Sequence, residues 1–179
     1  MSEIYIPSCL SPIDGDGLNK LAEAGKAAPD TIKTLKSKTV LEGQFKNLNY
    51  IRDLEPVVVD EPPVLLGEDT APNPSEMALL SLGSCLSVGV QANASARGIK
   101  LSKLEIDLEG DINITAVWGT GDIDPNKKLG VTEVRAMFTI EAPETTKEEL
   151  EALVQHAIKW SPVANTYINA VALSGKLVG

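Results

Sequence analysis

The chain has 179 residues, with 25 acidic against 16 basic side chains and a net charge of −9 when its single histidine is neutral. That length suits one domain with a real core, or one domain with an extension, and the negative charge argues against a nucleic-acid backbone as partner, which calls for a basic surface. Two cysteines, Cys9 and Cys85, are too few for a disulfide framework, and one histidine permits no Cys/His cluster at ligand spacing, so reduced thiols, no metal and no cofactor are expected.

The start, MSEIYIPSCL, lacks a basic segment leading into an apolar core, and no apolar run approaches the roughly 20 residues of a bilayer span, so a soluble, cytoplasmic protein is expected. Residues 15–37 predict one or two short helices, with Pro29-Asp30 restarting the second and Leu18, Leu21, Ile32 and Leu35 giving modest apolar spacing. This part reads as a helical extension over residues 1–38, ahead of a main domain at 39–179. From Thr39 the runs TVLEGQF, LNYI and PVVVD predict two or three antiparallel strands, rich in β-branched and aromatic residues and interrupted by Gly, Asn and Pro.

After a turn-rich connection, Asn73-Pro74 with Glu76 predicts a capped helix start, and Gly98 a stop, for a helix of roughly 24 residues. Its faces are small or apolar nearly all round, which predicts a central, buried helix. The alternating segments LSKLEIDLEG, DINITAV and VRAMFTIEA predict three more strands, and Thr146 with Glu149 a second capping box opening an amphipathic helix. Ser161-Pro162 signals another helix start, followed by a closing strand around AVALSGKLV.

Cys85 is the chemical question in this chain. Free cysteine is among the most buried residue types, and the neighbours on its helical stripe, Ala78, Ser81, Leu82, Val88 and Gly89, permit a pocket without demanding one. Packing and chemistry both stay open. The thiol lies far beyond the first helical turn, so an ionised sulfur would need a cation from another segment. Of the three arginines, Arg97 lies about 18 Å along the same helix and Arg135 alternates to the outward side of a strand, leaving Arg52 as the candidate. His156 reads as a surface or packing residue. Asp122, Asp124, Asn126 and Glu133 fall at calcium-loop spacing, but Lys127 occupies the position that needs glycine and the flanks are strands, so this stretch reads as a hairpin loop.

The segment APNPSEMALLSLGSCLSVGVQANASARGI followed by LSKLEIDLEG, with HAIKWSPVANTY later, resembles the OsmC/Ohr family over about residues 39–179. The resemblance implies an α+β fold with an antiparallel sheet wrapped around two central helices, in an intertwined homodimer whose sites use both chains. It implies Cys85 as the peroxidatic cysteine reducing organic hydroperoxides, assisted by Arg52 from the early strands and by a glutamate ten residues before the cysteine; that position is Ser75 here, and Glu76, one residue later, is the candidate carboxylate. Ser161 stands where the family's resolving cysteine is found, so reduction would fall to an external thiol such as a lipoyl or other dithiol. Glu76 is nine residues from Cys85, about half a turn round the helix from it, and also reads as a cap. The expectation is a one-cysteine organic hydroperoxide reductase. The alternative is a non-catalytic dimeric protein on the same scaffold that binds a small apolar molecule.

Overall fold

The computed structural model describes residues 9–179. Residues 1–8, and the reading of the chain start that rests on them, lie outside the described residues. The described chain divides into two compact units, residues 9–19 with Leu82–Gly179, and Lys20–Ser81. Helices α1 (Gly15–Ala27) and α2 (Pro74–Ala96) each run from one unit into the other.

α1 is opened by the Asp14 carboxylate, which accepts from the backbone N–H groups of Asp16 and Gly17, both at 3.1 Å. No second helix follows Pro29. Ile32 and Leu35 are each 92% exposed, so a short helix there would have no surface on which to bury its apolar face, and short helices are marginal without one.

In the Lys20–Ser81 unit, β1 (Lys38–Gly43), β2 (Lys46–Tyr50) and β3 (Val57–Val59) form an antiparallel meander, with Val40 opposite Leu48 and Leu48 opposite Val58. After β3 the chain makes a tight loop organised by Asp60, which is 1% exposed. Its carboxylate accepts from Thr70 Oγ1 (2.7 Å), Thr70 N (3.0 Å) and Glu61 N (2.8 Å). These donors, the Thr70 hydroxyl first, hold the Asp60 carboxyl below its ordinary value. Because the folded value is the lower one, the stabilisation is complete above the unfolded value of about 3.9 and is lost as pH falls through the folded value. Asp60→Asn is therefore expected to lower stability at neutral pH and to flatten the decline in urea midpoint below about pH 4, as read from urea titrations across the acid range.

The onset of α2 is reciprocally capped: Glu76 N donates to Asn73 Oδ1 (2.9 Å) and Asn73 N donates to Glu76 Oε2 (2.8 Å). Asn73→Ala is expected to cost about 1 kcal/mol, visible as a lower thermal midpoint. Gly98, at φ +71°, ends the helix in the left-handed conformation that glycine adopts without strain.

In the other unit, β4 (Lys103–Asn113) and β5 (Gly130–Glu141) form one long antiparallel ribbon, with Ile106 opposite Phe138 and Leu108 opposite Ala136. The two strands expected over LSKLEIDLEG and DINITAV are thus a single strand. Asp111 and Ile112 are absorbed by a register shift rather than a turn, because β5 continues alongside to pair with both. The ribbon's inner face packs on the stripe Leu82, Leu86, Val90 and Ala94 of α2, together with α3 (Lys147–Trp160) and α4 (Pro162–Ile168). Leu153 and Ala157 of α3 complete the core, and a Cβ on Gly89 would stand 3.2 Å from that of Ala157, so glycine lets the two helices approach closely. Residues 10–13 also dock here: Leu10 N donates to Leu101 O (2.7 Å), Gln91 Nε2 to Ser11 O (2.8 Å) and Ile13 N to Ser95 Oγ (3.0 Å).

The antiparallel α+β class is the one observed, with the strands of one chain arranged as β1-β2-β3 and β4-β5. Two expectations about burial and the last strand are corrected. α2 buries one stripe rather than all its faces, leaving Val88 65% exposed, because the ribbon and α3 cover only one side of it. By length and composition α2 also reaches what a bilayer span needs, a property it shares with core helices, although no such run was expected. The closing strand is absent among the described residues: residues 169–179 form no regular structure and are exposed, with Leu173 at 97% and Leu177 at 99%, since no strand edge lies alongside to complete a ladder.

Candidate active site

Cys85 sits on α2, half-buried, within the turn bounded by the buried residues Leu82 and Leu86. Across from it, α3 ends and α4 begins at Ser161, which is 3% exposed. Pro162 occupies the first position of α4, where its missing N–H costs nothing, and Ser161 Oγ caps the helix by accepting from Ala164 N at 3.0 Å. The same hydroxyl donates to Cys85 Sγ at 3.1 Å. One hydroxyl thus ties the start of α4 to the sulfur on α2. The cluster around it contains Ile158, Val163, Ala164 and Tyr167; burial pushes the Tyr167 phenol up, and its hydroxyl has no hydrogen-bond partner among the described residues.

The other sequence-predicted residues lie as follows. Arg135 is on the outer face of the ribbon, where its guanidinium pairs with Asp111 (2.7 and 3.0 Å), Glu109 (3.1 Å) and Glu133 (3.6 Å), and these acids raise its already high pKa. It is not available to Cys85. Cys9 is exposed, and its neighbour Leu10 is tied to Leu101, beyond the end of α2. Cys85 precedes Ser95, the anchor of Ile13, by about 15 Å of helix, whereas a disulfide needs Cα atoms within roughly 7 Å. Cys9 therefore cannot pair with Cys85 in one chain.

Arg52 and Glu76 belong to the Lys20–Ser81 unit. Arg52 lies in the turn after β2 at φ +55°, beside a groove of about 790 Å³ lined also by Thr34, Leu35, Lys36, Ser37 and Ile51. Its guanidinium makes no ion pair among the described residues. The Glu76 carboxylate is engaged in the α2 cap. Sequence reasoning missed Glu61, whose carboxyl is pushed up by burial and then by the charges of Asp60 and Glu76. The adjacent acids Asp60 and Glu61 before two prolines were the only local sign of it. His156 stands 6.3 Å from the Trp160 ring, and Lys159 Nζ lies 5.3 Å over that ring. In the 114–129 loop, Lys127 pairs with Asp122, and Asp124 accepts from Asn126, so the acids at calcium-loop spacing have partners of their own.

The helix carrying Cys85 and the Ser161-Pro162 turn both fall inside residues 67–174, the stretch matched by the family of OsmC-like proteins. The chain belongs to that family. No curated protein sequence matches it. The fold of this OsmC-like protein is similar to that of an OsmC-like protein from Mycoplasma pneumoniae (TM-score 0.64, 18% identity, covering 77% of this chain and 89% of that one). It is also similar to an organic hydroperoxide resistance protein, OsmC, from Legionella pneumophila (TM-score 0.54, 20% identity, 76% and 90% covered). A third similar structure is an organic hydroperoxide resistance protein from Elizabethkingia anophelis (TM-score 0.54, 18% identity, 76% and 89% covered). At these identities the likeness is one of fold. Among the described residues, the fold of the OsmC-like protein brings Ser161 into hydrogen-bond contact with Cys85.

Proposed function

We propose that this OsmC-like protein reduces organic hydroperoxides through Cys85 alone. The observation that carries the reading is the half-buried Cys85 sulfur, on the family's matched segment, receiving a hydrogen bond from a buried hydroxyl. In the reaction the Cys85 thiolate attacks the peroxide oxygen farther from the organic group. An S–O bond forms, the O–O bond breaks, and the departing alkoxide takes a proton to become the alcohol. The resulting sulfenic acid condenses with an external thiol, releasing water and leaving a mixed disulfide; a second thiol equivalent frees Cys85 and carries away the disulfide. A dithiol such as a lipoyl group supplies both equivalents.

A thiolate in an apolar setting is favoured by a nearby cation. Arg52 is the proposed source, delivered by the second protomer of a homodimer, and its lack of an ion-pair partner among the described residues supports that role. The exposed apolar side chains of the single chain, Val88, Ile168, Val171, Leu173 and Leu177, support the homodimer, since a soluble chain gains by covering them. Glu76 is proposed as an assisting carboxylate. Residues 1–38 are proposed as an extension to a domain at 39–179, and the cytoplasm as the location.

Ser161 at the place of a second sulfur also favours the other reading, a dimeric binding protein without turnover. Stopped-flow oxidation of the reduced protein by cumene hydroperoxide separates the two. Oxidation much faster than that of free cysteine supports the peroxidase; a rate no faster than free cysteine leaves the binding scaffold.

A further inference from the structure

We infer that Ser161 is a positioning residue for the Cys85 sulfur: its hydroxyl proton is committed to that sulfur and holds it in one orientation at the α3–α4 junction. The inference rests on Cys85 being the reacting atom. A serine hydroxyl has one proton to give and lone pairs to receive with. At Ser161 the accepting side is taken by the backbone N–H of Ala164 at 3.0 Å. The side chain is 3% exposed, so water has almost no access to it. The proton points to Cys85 Sγ at 3.1 Å, the one acceptor it meets among the described residues. The capping bond and Pro162 fix the serine at the start of α4, while Leu82 and Leu86 seat α2, so neither partner is free to turn away.

A donor held in this way bonds a thiolate more strongly than a thiol, because hydrogen bonds to charged acceptors are the stronger kind. The same geometry has a second consequence. The oxygen of Ser161 lies 3.1 Å from Cys85 Sγ, so a cysteine at this position would place its own sulfur beside that of Cys85. With oxygen there, and with Cys9 tied near Leu101, an oxidised Cys85 remains a sulfenic acid until a thiol arrives from outside.

The experiment compares the full-length parent with Ser161→Ala, Ser161→Thr and Ser161→Cys. Alkylation of Cys85 by iodoacetamide, followed by mass against time, needs no peroxide and so reads the sulfur independently of the peroxidase reading. In Ser161→Ala alkylation at one fixed neutral pH is expected to slow by about tenfold, and Ser161→Thr, which keeps a capping hydroxyl, is expected to follow the parent. A Ser161→Ala profile that superimposes on the parent overturns the inference. Should Ser161→Ala fail to fold through loss of the α4 cap, Ser161→Cys carries the test: diamide is expected to join the new thiol to Cys85 in an intramolecular disulfide. After one equivalent of cumene hydroperoxide, dimedone is expected to label the parent and not this variant. Absence of the disulfide overturns the inference. A slowed Ser161→Ala profile in a protein that does not react with hydroperoxides leaves the positioning role standing and removes the peroxidase.

Discussion

Cys85→Ser is expected to slow hydroperoxide consumption by roughly three orders of magnitude or more, to the level of buffer. The serine oxygen does not ionise near neutral pH and cannot accept an oxygen atom from the peroxide, so the O–O bond has no nucleophile to break it. The exchange alters one atom at a half-buried position, and the fold is expected to survive with the melting temperature close to that of the parent. The control is Cys9→Ser, expected to keep the full rate, because Leu10 anchors that end of the chain at Leu101, away from the site. The measurement is loss of tert-butyl hydroperoxide in the presence of dihydrolipoamide. Activity in Cys85→Ser equal to the parent would sink the assignment of this sulfur.

Leu153→Ala is expected to destabilise the protein by about 2–5 kcal/mol, a large part of the 5–15 kcal/mol typical of a folded domain. Leu153 is completely buried among Val90, Ala94, Leu101 and Ala157, at the place where α3 meets α2 and the ribbon. Truncation removes transfer free energy and opens a cavity that Gly89 and Ala157, already in close contact, have no side-chain length to fill. Urea denaturation should show a lower midpoint with an unchanged slope. Leu177→Ala, at a side chain 99% exposed in the single chain, is the comparison: it is expected to leave the monomer's stability unchanged and to weaken association if the tail is covered in a homodimer.

Much of the local architecture was legible because it rests on short-range chemistry. The capping boxes at Asn73/Glu76 and Thr146/Glu149, and the Ser161-Pro162 helix start, all form where their residue types predict. Each is a contract among residues three or four apart, complete in the sequence. The outward direction of Arg135 followed from strand alternation in the same way. The failures were of another kind. Ile32, Leu35 and the AVALSGKLV tail carry suitable side chains but lack a surface or a strand edge, and pattern alone does not reveal whether one is supplied. The turn expected within β4 gave way because β5 pairs along the whole length.

By itself the sequence determined that a long small-residue helix starts at Asn73 and carries Cys85, that a serine and a proline open the last helix, and that these motifs belong together in one family. The resemblance placed Ser161 where a partner of Cys85 is found; only the tertiary structure decided the contact itself, across 76 residues, with the hydroxyl of Ser161 aimed at the sulfur. Caps and alternation are fixed by neighbours along the chain, whereas an approach of 3.1 Å between α2 and the α3–α4 junction depends on how the Leu82, Leu86 and Ala164 cluster packs.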